Sequence, residues 1–367
     1  MTNGNLNNRK KKEIHGDTII GGQRIIVMGA SSGGFDALKK LVQGLPPDFN
    51  ASLFIVWHMS PDVPGILPQV LNRVNKIYAA HAYDGEEIKP NRIYISRPDH
   101  HLLIRNRKVR ITHGPKENRF RPAIDPLFRS AAYAFTNRVI GVILSGALDD
   151  GTVGVWTVKH YGGIAIVQDP SDAEVPSMPE NAMRQVNVDH CVPVSEIAEL
   201  LVRLCKEPIT ENRDVMKNEQ TRKEVEIAAE ENVLEKGLMD FGELSPFTCP
   251  ECHGVLSRLY NGDLVRYRCH TGHAYTVGAF MASLTEKVED YLYDAIRGMD
   301  ETIILLNHLG DHYAEANQSQ LAALFFKKAK QAADRSQLVR QAVVTHKQLS
   351  KESLEKEAQQ ESVSAGK

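Results

Sequence analysis

The sequence predicts an α/β protein: a doubly wound, mostly parallel sheet, followed by a small Cys/His-rich module and a helical hairpin. Three observations predict it. Apolar β-rich runs alternate with helical stretches from Arg24 to about Lys206. Cys249, Cys252 and Cys269 then gather with three histidines in a short island. From Val277 to about Lys351 proline is absent and apolar residues recur at helical spacing.

Strands are expected at Ile25–Met28, Ser52–Val56, Val139–Leu144 and Ile164–Gln168, each apolar throughout. Such strands belong in the middle of a parallel sheet covered on both faces. The intervening helices are expected at Phe35–Leu45, Ile66–Val74, Pro126–Ala134, Gly154–Tyr161 and Ser195–Leu204. Ile93–Ser96, His101–Ile104 and Val109–Thr112 are shorter, separated by turn residues, and read as a small antiparallel excursion. The catalytic-type domain is thus placed at residues 23–208, after a polar tail at 1–22. A charged helical linker is expected at 209–245, with an amphipathic helix at Thr221–Met239. The Cys/His module spans 246–276, the hairpin 277–351, and a disordered polar tail 352–367. Within the hairpin, breaks are expected at Leu309-Gly310-Asp311 and Asn317-Gln318. Its Leu and Phe stripe reads as ordinary core packing.

A length of 367 residues allows two or three domains. The net charge of -2 gives no basic field for nucleic acid. No apolar run reaches the roughly 18 residues of a membrane span, and no apolar segment follows Arg9-Lys10-Lys11-Lys12 to form an export signal. The expected location is the cytoplasm, where thiols stay reduced. Cys191 and Cys205 read as buried thiols in apolar surroundings.

Chemistry concentrates at three strand ends. Gly29-Ala30-Ser31-Ser32-Gly33-Gly34 follows the first strand and opens a helix, where backbone N–H groups and a partial positive charge gather. His58 follows the second strand, and Asp150 follows a third in Leu144-Ser145-Gly146-Ala147-Leu148-Asp149-Asp150-Gly151. Residues beyond the carboxyl ends of parallel strands converge on one edge. A serine nucleophile needs an imidazole to take its proton and a carboxylate to orient that imidazole. Taken singly, the serine reads as a helix cap, the histidine as a structural polar group and the Asp-Gly pair as a turn. The coincidence of three placements favours a site.

A nicotinamide site is the main competitor. The turn lacks a third spaced glycine, no Tyr-x-x-x-Lys pair is present, and His58 stands where an acidic ribose ligand is expected.

The glycine-serine turn, Trp57-His58-Met59, Arg121-Pro122-Ala123-Ile124-Asp125-Pro126-Leu127-Phe128, the Leu144–Gly151 run, Gly163–Pro170 and Met178-Pro179 occur in one order. They resemble the catalytic domain of CheB-type chemotaxis protein-glutamate methylesterases over roughly 23–206. The resemblance implies Ser31 as nucleophile, His58 as base and Asp150 as orienting carboxylate, with Asp149 the competing assignment. It implies hydrolysis of glutamyl γ-methyl esters on a methylated chemoreceptor-like protein, with deamidation of receptor glutamine by the same chemistry, and no cofactor for catalysis. Backbone N–H groups of Ser32 and Ala147 would stabilise the oxyanion. Members of the family typically carry a phosphorylatable receiver before this domain, whereas a polar tail precedes Arg24 here. Control by a separate receiver or signalling protein is therefore expected. A non-catalytic scaffold that binds a signalling partner is the alternative.

In the island, Cys249-Pro250-Glu251-Cys252 precedes two short strands around Asn261-Gly262-Asp263, and Cys269-His270-Thr271-Gly272-His273 closes it. This is the spacing of a zinc ribbon. Cys249, Cys252, Cys269 and His273 would complete a closed structural zinc site, with His253 or His270 as substitutes for the fourth ligand. Arg258, Arg266 and Arg268, beside acidic neighbours, support nucleic-acid binding only weakly. The module and hairpin read as regulatory or protein-interaction elements.

Overall fold

The computed structural model describes residues 23–59, 65–209, 218–230 and 242–350, with 353, 354, 357, 358 and 361. The tail expected at 1–22, and most of that at 352–367, lie outside them, as does part of the Thr221–Met239 segment.

The first part alternates β1 (Arg24–Ala30), α1 (Gly34–Gln43), β2 (Ala51–Trp57), α2 (Leu67–Val74), β3 (Tyr78–His81) and β4 (Arg92–Ile95). After β5 (His101–Arg105) and β6 (Lys108–Thr112) come α3 (Ile124–Phe135), β7 (Val139–Ile143), α4 (Thr152–His160) and β8 (Ile164–Gln168). Then follow α5 (Ser177–Gln185), β9 (His190–Val192) and α6 (Val194–Lys206). Seven strands pair in the order β3-β4-β2-β1-β7-β8-β9, all parallel.

Successive side chains of a strand point to opposite faces, so two cores form. Ile26, Met28, Leu53 and Ile55 pack beneath Leu38 and Leu41 of α1 and Leu201 of α6. Ile25, Val27, Phe54 and Val56 pack beneath Leu127 and Phe128 of α3 and Val155 of α4. Each such side chain contributes about 1.5–3 kcal/mol on leaving water, which is why strands apolar on both faces settle in the middle of the sheet.

The antiparallel excursion is smaller than expected. β5 and β6 form it, but β4 lies parallel between β2 and β3 in the main sheet. Pairing direction depends on which neighbours a strand meets, and four residues alone do not specify it. Cys191, in the short edge strand β9, is exposed, and Cys205, in the last turn of α6, is half-buried, so neither is a fully buried thiol.

Beyond α6, α7 (Glu219–Ala228) is a packed element within the segment expected to be a linker. Ile227 and the carboxylate of Glu224 are fully buried. A four-stranded antiparallel sheet follows: β10 (Glu243–Thr248), β11 (Val255–Asn261), β12 (Leu264–Cys269) and β13 (Ala274–Thr276). The hairpin is α8 (Val277–Glu315) and α9 (Ser319–Thr345). Gly310 does not break α8: a Cβ there would lie 2.6 Å from the Phe326 ring, so glycine serves close approach of α9. Of the hairpin stripe, Phe280, Ile296 and Ala329 are buried, whereas Val288 and Leu324 are exposed.

Candidate active site

β2, β1 and β7 are adjacent in the sheet, so Ser31, His58 and the loop after β7 meet at one edge. The Ser31 N–H donates to Ser145 O (2.9 Å), and the His58 N–H to Ala30 O (3.0 Å). These bonds tie the turn to both neighbouring strands. Gly146 makes the approach possible, since a Cβ there would lie 2.8 Å from the Ser31 Cβ and 2.1 Å from Met178 Sδ.

His58 sits between the other two. Its Nδ1 is 3.2 Å from Ser31 Oγ and its Nε2 is 2.8 Å from Asp150 Oδ2. The Phe120 ring stacks on the imidazole at 3.9 Å between centroids. Asp150 is buried and accepts the Ile124 N–H on Oδ2 (2.7 Å); its Oδ1 accepts the Asn118 amide (2.8 Å) and the Gly151 N–H (3.0 Å). Burial pushes the Asp150 carboxyl up, but His58, Ile124 and Asn118 outweigh it and hold it below its ordinary value. Asp149 does not reach the imidazole cluster: its Oδ1 accepts the Thr276 hydroxyl at 2.6 Å.

Asp125, quoted above only within a motif, lies beside Asp150. Burial and then the Asp150 charge push its carboxyl up to about 8. It accepts the Asn118 amide at 2.9 Å and the Gly154 N–H at 2.6 Å. Asn118 and Phe120, which touch Asp150 and His58, carry no sequence signal, because their partners are remote in the chain.

Ser31, Ser32, Trp57, His58, Phe120 and Ala147 line an open pocket of about 590 Å³. Among the described residues, the Ser32 and Ala147 N–H groups make no loop or turn backbone hydrogen bond, whereas the Gly146 N–H donates to Val175 O.

Cys249, Cys252, Cys269 and His273 form the second cluster, with ligand atoms all within 4.8 Å of one another. Cys252 Sγ to Cys269 Sγ is 3.6 Å, and His273 Nδ1 lies 3.7 Å from Cys249 Sγ and 3.6 Å from Cys269 Sγ. A tetrahedral ion with metal–sulfur bonds of about 2.3 Å needs edges of about 3.8 Å, so the donor set fits zinc. The Thr271 hydroxyl lies 2.9 Å from Cys269 Sγ, an outer contact that sequence reading missed. His253 and His270 are outside the set; His253 lies against Tyr291, and His270 against Gly254.

The module is joined to the first domain by buried charges. Glu117 pairs with Arg129 (2.7 Å) and Arg268 (2.9 Å), and Glu224 with Arg266 (2.7 Å) and Arg268 (3.4 Å). Arg266 and Arg268 are therefore structural and buried, not a basic surface.

The fold defines the class, a doubly wound α/β domain with its candidate site at the carboxyl edge of a parallel sheet. Residues 26–201 match the family model described as CheB methylesterase. A relative from Leptospira interrogans is 38% identical over 180 residues, covering 49% of this chain and 93% of its own length. The chain belongs to the CheB methylesterase family. A Thermotoga maritima protein-glutamate methylesterase/protein-glutamine glutaminase is 34% identical over 185 residues, covering 49% of this chain and 54% of that protein. The crystal structure of the Thermotoga maritima CheB methylesterase catalytic domain is 35% identical, with a TM-score of 0.48, covering 50% of this chain and 98% of that one. Among the described residues no helix is long and apolar enough to cross a membrane.

Proposed function

We propose that the chain hydrolyses glutamyl γ-methyl esters, and deamidates glutamine, on a methyl-accepting receptor-type protein through an acyl-enzyme at Ser31. The observation that carries this is His58, with one ring nitrogen facing the Ser31 hydroxyl and the other facing the Asp150 carboxylate.

His58 Nδ1 accepts the Ser31 proton as Oγ attacks the ester carbonyl. Nε2–H remains donated to Asp150, whose charge stabilises the imidazolium. The N–H groups of Ser32 and Ala147 take the developing oxyanion. His58 returns the proton to the departing methoxide, and methanol leaves. Water, deprotonated by His58, then attacks the acyl carbonyl and frees the glutamate and Ser31. Glutamine follows the same path with ammonia leaving.

The Cys249, Cys252, Cys269 and His273 set would hold structural zinc, which supplies cross-linking of the small sheet and has four protein ligands, leaving no open position for substrate. The location that suits this reading is the cytoplasm, and a separate receiver or signalling protein would supply control.

The test is methanol release from methylated receptor by wild type and Ser31→Ala. The variant is expected to be slower by roughly 10³–10⁶-fold. Wild-type release by the variant would remove the assignment. A fluorophosphonate probe that labels Ser31 in wild type but not in His58→Ala separates an enzyme from a binding scaffold.

A further inference from the structure

Both catalytic-edge residues that lack a sequence signal lie on one short turn, Glu117–Phe120, and the Cys/His module holds that turn. Its backbone is left-handed at two successive non-glycine residues, Asn118 (φ 50) and Arg119 (φ 76). Such a conformation persists only where surrounding contacts impose it. The contacts come from residues directly after the ligand His273. The Ala274 N–H donates to Lys116 O (3.2 Å), and the Asn118 N–H to Ala274 O (2.8 Å). The Thr276 N–H donates to Asn118 Oδ1 at 2.8 Å.

That last bond decides which way the Asn118 amide faces. With Oδ1 occupied by Thr276, Nδ2 is left to donate to Asp150 (2.8 Å) and Asp125 (2.9 Å). At the end of the same turn, Phe120 lies flat on the His58 ring, 14° from parallel. Glu117, at its start, is anchored to Arg268, the residue before the ligand Cys269. The turn is therefore held through residues flanking two of the four ligands, while among the described residues none of the module or hairpin lines the Ser31 pocket.

We propose that the Cys/His module is a metal-dependent support of the active site: an ion held by Cys249, Cys252, Cys269 and His273 fixes Ala274–Thr276, which orient Asn118 and Phe120 and through them Asp150 and His58. Asn118 is a positioning residue in this scheme, and the ion never meets substrate. The inference rests on the methylesterase reading above.

The experiment uses the full chain, loaded with zinc or stripped by a chelator, with metal content measured by mass spectrometry and folding followed by circular dichroism. Two rates are read: methanol release from a helical peptide carrying a glutamyl γ-methyl ester, and fluorophosphonate labelling of Ser31 across pH. Stripping is expected to lower kcat and the labelling rate by roughly 10–100-fold, the range for losing an outer support of a functional group. Zinc(II) should restore both. KM should change less than kcat, because of the residues lining the pocket only Arg119 and Phe120 lie on the supported turn. A metal-free, folded protein with wild-type rates overturns the proposal.

Asn118→Ala, kept zinc-loaded, decides the matter if stripping unfolds the chain. It should show the same loss, and the acidic limb of its labelling profile should move to higher pH, because Asp150 loses a donor. Wild-type rates and an unmoved profile in this variant overturn the proposal. Where the stripped proteins stay folded, zinc removal should slow Asn118→Ala less than wild type, since both act through one contact; equal losses also overturn it. No methanol from zinc-loaded wild type would instead remove the methylesterase reading, while the labelling arms still test the support.

Discussion

His58 Nε2 lies 2.8 Å from Asp150 Oδ2, and that oxygen also accepts the Ile124 N–H at 2.7 Å. The carboxylate is thus locked by the start of α3 while it faces the imidazole. Its neighbour Asp149 turns the other way, to Thr276.

Asp150→Asn should therefore lower methanol release by roughly 10⁴-fold, the scale for neutralising the carboxylate of a triad. Asp149→Asn should stay within about tenfold of wild type, since its carboxylate faces the Thr276 hydroxyl. Steady-state methanol assays on both variants check this. The reverse ranking would move the carboxylate role to Asp149.

Asp125 makes stability depend on pH in an unusual direction. Its carboxyl is pushed up to about 8 on folding, so between about 4 and 8 the native state holds a proton that the unfolded chain has released. This contribution falls as pH rises through that window, by an amount on the order of a few kcal/mol. Asp125→Asn should abolish that decline, while losing about 1–3 kcal/mol at pH 5, because an amide cannot accept from both Asn118 and Gly154. Urea unfolding of both proteins from pH 5 to pH 8 measures the difference. Parallel stability curves would refute it.

Glu224 is fully buried and faces Arg266 and Arg268 across two parts of the chain. Glu224→Ala leaves those arginines without it and should destabilise by about 3–5 kcal/mol, seen as a lower urea midpoint. Burial pushes Glu117 and Glu224 up, but their arginines overcome it and hold both below the ordinary value of 4.5. The stability they contribute is present above about 4.5 and is lost as pH falls below it. An unchanged acid-unfolding profile in Glu224→Ala would count against this role.

Gly146→Ala should perturb Ser31 directly. The added methyl would meet Met178 Sδ and the Ser31 Cβ, a strain of about 1–3 kcal/mol. Thermal melting should register it, together with slower fluorophosphonate labelling. Wild-type labelling would show that Met178 can move aside.

Much of the first domain is legible in the sequence because its signals are local. β1, β2, β7 and β8 are apolar on both faces, and a strand of that kind has no place except between neighbours. Ser31 and His58 sit next to their strands, so knowing the strands places them. The Cys249–Cys252 knuckle and the Cys269–His273 pair are also local, and the structure brings their four ligand atoms together.

Other features depend on distant pairing. The direction of β4 followed from lying between β2 and β3, not from its own residues. Gly310 looks like a helix break until Phe326 of α9 is seen to need its space. Glu219–Ala228 reads as part of a charged helical linker because its charges are visible, while Arg266 and Arg268, which pair with the buried Glu224, lie 42 and 44 positions away.

By itself the sequence determined the sheet, the serine turn, the imidazole and the metal-type donor set, since each is set by spacing within a few residues. Only the tertiary structure turned Asp150 toward His58 and Asp149 toward Thr276, raised Asp125, and placed Asn118 and Phe120 between the Cys/His module and His58. These depend on groups up to 158 positions apart in the chain meeting in a buried, low-dielectric space, where burial and the neighbouring Asp150 charge raise Asp125 and the His58 contact lowers Asp150.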